Sequence, residues 1–194
     1  MIDFHSAGAR RCSLHTAAMV GPHLRDGDVV LDIGCGAAYV TTLLAARHAV
    51  TMLAVDIVDC RRVPTPHFAL YDGITLPLAD ASCDVVIVGF TLHHIPNDTK
   101  PAVIADIRRV ARRTVIVFED TPRNFIDRYY NRKHGEEFRR RIDSTAPYGF
   151  YSQREWEAWF PQHGLRVVES IKIGRFARDR GQPFARSCFV LEPA

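Results

Sequence analysis

Val29-Val30-Leu31-Asp32-Ile33-Gly34-Cys35-Gly36-Ala37-Ala38-Tyr39 decides how the rest of the chain is read. An apolar run that stops at a glycine turn has the composition of a parallel strand buried on both faces. Residues 38–48 then put Val40, Leu43, Leu44 and Arg47 at helical spacing. Strand, glycine turn and helix in that order let a ligand approach the backbone beside a helix N-terminus. The dinucleotide fingerprint wants glycine at the first, third and sixth positions of such a turn. Gly34 and Gly36 fit, but the sixth position is Tyr39, too large for the helix–strand contact which that motif uses. The turn suits a nucleotide cofactor and argues against NAD.

Working outward, the same alternation continues. Strands are expected at 50–55, ending at Asp56, at 67–71, ending at Asp72, at 84–90 and at 114–119. A helix near 98–112 carries Val103, Ile104, Ile107 and Val110 on one face, and Arg108, Arg109, Arg112 and Arg113 at its end complement the helix dipole. Strands joined by helical crossovers predict an open parallel sheet with helices on both faces. Residues 122–143 read as a strongly charged helix. Ser152-Gln153-Arg154-Glu155 is a capping box that opens a helix whose Trp156, Trp159 and Phe160 are expected in the core, with Gly164 as its stop. Two last strands fall near 165–173 and 185–191, and a short helix near 8–20 precedes the first strand.

Composition limits the alternatives. The chain has 194 residues, 47% hydrophobic and 24% charged, which fits one ordinary globular domain. No apolar run approaches the ~18 residues that cross a bilayer, and 1–12 shows no secretory signal, so the cytoplasm is the expected location. Five scattered cysteines form no CxxC pair and no zinc spacing, so no metal is expected. A formal charge of +3 is low for a phosphate-binding protein, which disfavours nucleic acid as a partner.

Several polar residues fall where open α/β sheets bind ligands, beyond the carboxyl ends of the strands. Asp56, 20 residues past Gly36, can accept both hydroxyls of a ribose. Asp72 can accept from an adenine amine, or can make an Asx turn with Gly73. His93 and His94 open a loop after the fourth strand. His94 is assigned to cofactor proximity and His93 to proton acceptance, with a packed structural histidine as the alternative for either. Glu119 ends the fifth strand, as a substrate-orienting group or base, or else as a helix cap beside Asp120.

VLDIGCG at 30–36, the VD of 55–56, YDGITLPLADASCDVVIVGFTLHHI at 71–95 and the FYSQREWEAWF…HGLRVV tail together resemble the class I S-adenosylmethionine-dependent methyltransferases, in their small-molecule, type 11-like branch. The resemblance spans roughly residues 29 to 173. Ala38 stands where many members have a third glycine. The resemblance implies a Rossmann-like α/β fold with a seven-stranded, mostly parallel sheet in the order 3-2-1-4-5-7-6, whose last strand is antiparallel. It implies S-adenosylmethionine as cofactor, with Asp32, Gly34, Gly36, Tyr39, Asp56, Ile57, Asp72, Gly73, Phe90 and His94 as the binding set. His93 and Glu119 are then the catalytic pair, and Tyr129, Tyr130, His134 and Tyr148 the substrate contacts.

The expected organisation is one methyltransferase domain. It comprises a helix or lid at 1–27, a cofactor core at 28–121, a substrate-side insert at 122–151, and a C-terminal helix and strands at 152–194. The expected reaction is in-line methyl transfer to a small, secondary or lipid-like metabolite. RNA or protein methylation, and cofactor binding without transfer, are the alternatives. The oligomeric state and the accepting atom are left open.

Overall fold

The computed structural model describes residues 7–142, 149–173 and 185–194. Strands β1 (Val29–Ile33), β2 (Thr51–Asp56), β3 (Phe68–Leu70), β4 (Cys83–Gly89), β5 (Ala111–Asp120), β6 (Leu165–Lys172) and β7 (Arg186–Pro193) form one sheet. Their order is β3-β2-β1-β4-β5-β7-β6. The first five pair in parallel, and β7 runs antiparallel between β5 and β6. This is the expected class I methyltransferase topology.

The strands read as continuous apolar runs because alternate side chains enter two different cores. Val30, Val85, Ile87, Ile116 and Phe118 face α1 (Ala7–Val20) and α2 (Tyr39–Ala45), meeting Ala17, Val20 and Leu44. Leu31, Ile33, Val86, Val88, Val115 and Val117 face α3 (Lys100–Val110) and α5 (Gln153–Gln162), meeting Ile104, Ile107, Trp156 and Phe160. Trp156 and Phe160 are fully buried and stack with centroids 5.1 Å apart. Burying a side chain of that size contributes on the order of 1.5–3 kcal/mol. The capping box that starts α5 is complete: Ser152 Oγ accepts from Glu155 N, and Ser152 N donates to the Glu155 carboxylate.

Arg108 and Arg109 lie in the last turn of α3 as expected, but Arg112 and Arg113 do not. Helix α3 ends at Val110, so Arg112 and Arg113 belong to β5. They are clamps rather than dipole complements. Arg113 bonds Asp28 at 2.5 Å and His23 O at 3.1 Å, and Arg112 bonds Asp84 at 2.5 Å. Arg109 reaches Asp106, Asp80 and the carbonyls of Leu76 and Leu78, pinning the loop before β4. A helix that stops at an extended Ala111 brings these guanidinium groups to the rim opposite the strand-end acids.

Packing is close where β1 gives way to its turn. Gly34 has φ +68, and a Cβ there would stand 2.3 Å from Thr91 Oγ1. Gly34→Ala should therefore destabilise the protein by about 2–4 kcal/mol, adding left-handed strain to overpacking. Adding Thr91→Ala should return part of that loss in urea unfolding. Strict additivity of the two substitutions would show that the contact does not matter.

Candidate active site

The parallel strands β1 to β5 end at one rim. Between β1 and β4 the chain leaves toward opposite faces, to α2 on one side and α3 on the other, which opens a crevice. Gly34 N and Cys35 N both donate to Val55 O, at 2.9 and 3.2 Å, which folds the glycine turn back over the end of β2. Gly36 N donates to Asp56 Oδ2 at 2.8 Å, while Ile57 N donates to Asp56 Oδ1 at 2.8 Å. The carboxylate is thus aimed by backbone on both sides and keeps lone pairs for hydroxyl donors.

Asp32 lies deeper, 4% exposed, and accepts from Thr41 Oγ1 at 2.5 Å. Burial pushes its pKa up to about 6, opposed by the Thr41 hydroxyl and reinforced by the charge of Asp56. Asp72 is exposed and makes the Asx turn. Its Oδ1 accepts from Ile74 N at 2.8 Å and Thr75 N at 2.7 Å, and these backbone donors hold its carboxyl below the usual range. Gly73 lies against Ile57, whose Cγ2 would be 3.2 Å from a Cβ at that glycine. Tyr39 opens α2, half-buried beside the turn.

On the β4 side, Phe90 takes a left-handed φ of +55, an uncommon conformation for an aromatic residue and one found at functional turns. Its N–H donates to Phe118 O at 2.8 Å, and the Arg186 guanidinium lies 4.8 Å from its ring centroid. A short 3-10 turn, Leu92–His94, follows. Glu119 holds it: Oε1 accepts from Leu92 N at 2.8 Å, and Oε2 lies 2.6 Å from His93 Nδ1. Burial opposes a charged imidazole, but the Glu119 carboxylate outweighs it, and the pKa of His93 is raised. The His93 ring stacks on Phe150 at 4.8 Å and lies 4.1 Å from the ring of half-buried His94.

The structure therefore gathers the strand-end residues from Asp32 to His94, together with Glu119, along one rim. Glu119 differs from its expected role in one respect. It is fully buried with both oxygens engaged, so it orients the turn and the imidazole and does not face an acceptor.

The substrate-side tyrosines are not brought to the rim. Helix α4 (Phe125–Ile142) buries Asp127, Asn131 and Gly135, whereas Tyr129 and Tyr130 point outward and pack on each other at 5.6 Å. His134 is on the same helix, its side chain outside the described residues, and Tyr148 lies outside them altogether.

Sequence reading passed over Lys100, Arg186 and Asn131 at this site, and gave Asp120 only as an acid ending the fifth strand beside Glu119. Lys100 is fully buried, donating to Ile95 O at 2.8 Å and Asn97 Oδ1 at 2.6 Å, and burial pulls its pKa down to about 8. Asp120 and Arg186 form a buried pair at 3.2 Å. Asn131 is fully buried, with neither side-chain atom hydrogen-bonded. Only Asp120 carried a signal, as an acid at a strand end.

A family model described as a methyltransferase domain matches residues 4–170, and the chain belongs to that family. No curated protein matches the chain in sequence. Among solved structures, a complex of the Haloferax volcanii Trm112 methyltransferase activator with a methyltransferase matches with TM-score 0.75 and 18% identity, covering 95% of this chain and 89% of that one. A Burkholderia thailandensis 1,6-didemethyltoxoflavin-N1-methyltransferase with bound substrate and S-adenosylhomocysteine matches with TM-score 0.70 and 16% identity, covering 95% and 79%. The magnesium protoporphyrin IX methyltransferase of Synechocystis PCC 6803 with bound S-adenosylhomocysteine matches with TM-score 0.68 and 16% identity, covering 96% and 84%. The chain is an S-adenosylmethionine-dependent methyltransferase of class I. Its rim fits that cofactor: Gly34, where a Cβ would meet Thr91 across the crevice, and the Asp56 carboxylate aimed by backbone donors.

Asp32 leads to a stability test. Its pKa in the folded state lies above the ordinary carboxyl value, so the stability it contributes is present below pH ~4 and is lost as pH rises through ~6. Asp32→Asn should raise the cofactor-free stability above pH ~7 by about 2–3 kcal/mol and leave it little changed near pH ~4. Thermal melts at the two pH values check this, and an equal shift at both would remove the buried charge as its cause.

Proposed function

We propose that the chain methylates a small molecule whose reacting end enters between the Leu92–His94 turn and the segment carrying Phe150. The observation that carries this reading is the coverage of His93, which is 1% exposed beneath the Phe150 ring. An acceptor that reaches this imidazole has to pass the Phe150 ring, and that favours a small molecule over a folded macromolecule. With Nδ1 held by Glu119, the His93 imidazole takes the acceptor's proton in this reading, and its raised pKa suits that role. Glu119 is a positioning residue.

When bound, S-adenosylmethionine supplies a methyl group already activated on a sulfonium. The protein is then required chiefly to align the acceptor and exclude water. In this reading Asp56 holds the ribose, and the backbones of Gly34 and Gly36 with Asp32 hold the amino-acid end. Ile57, Asp72 and Gly73 flank the adenine. Tyr39, Phe90 and His94 border the reactive end.

The test is S-adenosylhomocysteine release by the purified protein with the small-molecule, RNA and protein fractions of a cell extract. Release with the small-molecule fraction is expected. Release with RNA or protein alone would overturn the substrate class.

Asp56→Ala should weaken S-adenosylhomocysteine binding in calorimetry by about 1–3 kcal/mol, through the lost charged hydrogen bonds. Unchanged affinity would take Asp56 out of the site. With an acceptor in hand, His93→Gln and Glu119→Gln should lower kcat while leaving cofactor affinity unchanged. Glu119→Gln should also move the acidic limb of the pH–rate profile to lower pH, because His93 loses the carboxylate that raises its pKa. Wild-type turnover in both variants would show that the pair is only structural.

A further inference from the structure

Helix α4 has the reverse of the usual pattern for a surface helix. Its inward face, at i, i+4 and i+8, carries Asp127, Asn131 and Gly135, and the buried amide of Asn131 makes no hydrogen bond. Its outward face carries Phe125, Ile126, Tyr129 and Tyr130, with Phe125 81% exposed. A helix that packs for stability alone turns its apolar stripe to the core. Here the apolar stripe faces solvent, so something other than the core has to account for it.

The surroundings of the stripe are cationic. Arg128 and Arg132 flank it, and Lys133 Nζ lies 4.8 Å from the Tyr129 ring centroid. The acidic partners at hand hold these cations loosely, Glu155 at 3.5 Å from Arg128 and Glu136 at 3.9 Å from Arg132. Phe125, Arg128, Tyr129 and Arg132 line a cleft of about 270 Å³ between aromatic rings and guanidinium groups. Among the described residues no helix is long and apolar enough to cross a membrane.

We propose that α4 lies on an anionic lipid surface. Phe125, Ile126 and Tyr129 enter the headgroup boundary, and Arg128, Arg132 and Lys133 meet lipid phosphates. Aromatic and aliphatic residues on one face with arginine and lysine beside them make up an interfacial amphipathic helix. An aliphatic Ile126 beside an almost wholly exposed Phe125 favours acyl chains over RNA, where stacking rings alone would serve. The stripe lies on a single helix. It also lies on the helix that covers the Leu92–His94 turn, so docking would bring the acceptor entrance to the membrane. An apolar, lipid-partitioned acceptor is the substrate class that follows. That last step rests on the methyl-transfer reading, whereas the docking itself does not.

The test is cosedimentation of the full chain with vesicles of equimolar phosphatidylglycerol and phosphatidylcholine, against vesicles of phosphatidylcholine alone. Binding to the anionic vesicles only, weakened by added salt, is expected. Phe125→Ser and the double charge reversal Arg128→Glu/Arg132→Glu should each reduce it by about ten-fold or more. Calorimetry with S-adenosylhomocysteine runs on the same preparations, and unchanged affinity shows that the variants are folded. Loss of that affinity in the wild-type chain would instead undo the cofactor reading and leave the docking result standing. Absence of binding to anionic vesicles, or equal binding to both vesicle types, overturns the proposal. So does tighter binding of polyuridylate that the same variants abolish, or a dimer in sedimentation that Phe125→Ser dissolves.

Discussion

The carboxylate of Glu119, without exposed surface, ties the end of β5 to the turn that follows β4, through Leu92 N and His93 Nδ1. Burying an ionised group this far from water is strongly unfavourable unless its oxygens find charge-assisted partners. Here a backbone amide and an imidazole fill that role, and the buried ammonium of Lys100 adds its field. The turn cannot drift without leaving the carboxylate uncompensated. That constraint fixes where Thr91 lies, and Thr91 in turn leaves no room for a side chain at Gly34 across the crevice. The glycine turn of β1 and the histidine turn of β4 are thus held against each other by electrostatics on one side and by sterics on the other.

Much of this was legible before the structure because buried parallel strands leave a plain trace. Val29–Ile33 and Cys83–Gly89 are apolar at nearly every position, and each strand's end is marked by glycine or an acid. The Ser152–Glu155 capping box is likewise a local code, read from residues three apart. Burial of single polar residues leaves no such trace. Lys100 at the start of a helix looks like any solvated lysine, and only the tertiary packing of Ile95, Asn97 and Tyr151 around it shows otherwise. The outward setting of Tyr129 and Tyr130 left no trace for a related reason. The phase of a charged helix depends on what it packs against, and Asp127 and Asn131 take the inward positions. Arg112 and Arg113 changed element because β5 begins directly after α3, with no intervening loop to mark the boundary.

The rim divides into two halves that are held by different forces. On the β3-β2-β1 side, backbone donors and acceptors do most of the work: Gly34, Cys35 and Gly36 bond to Val55 and Asp56, and Asp72 caps its own turn. On the β4-β5-β7 side, buried side chains that are distant in sequence carry the structure. Arg186, at the start of β7, pairs with Asp120, lies over Phe90 and reaches Cys12 Sγ of α1 at 3.5 Å. A buried ion pair of this kind adds little net stability over an apolar substitute, but an unpaired partner is strongly destabilising. It therefore acts as a register, fixing the N-terminal helix, the strained Phe90 and the last strand relative to one another.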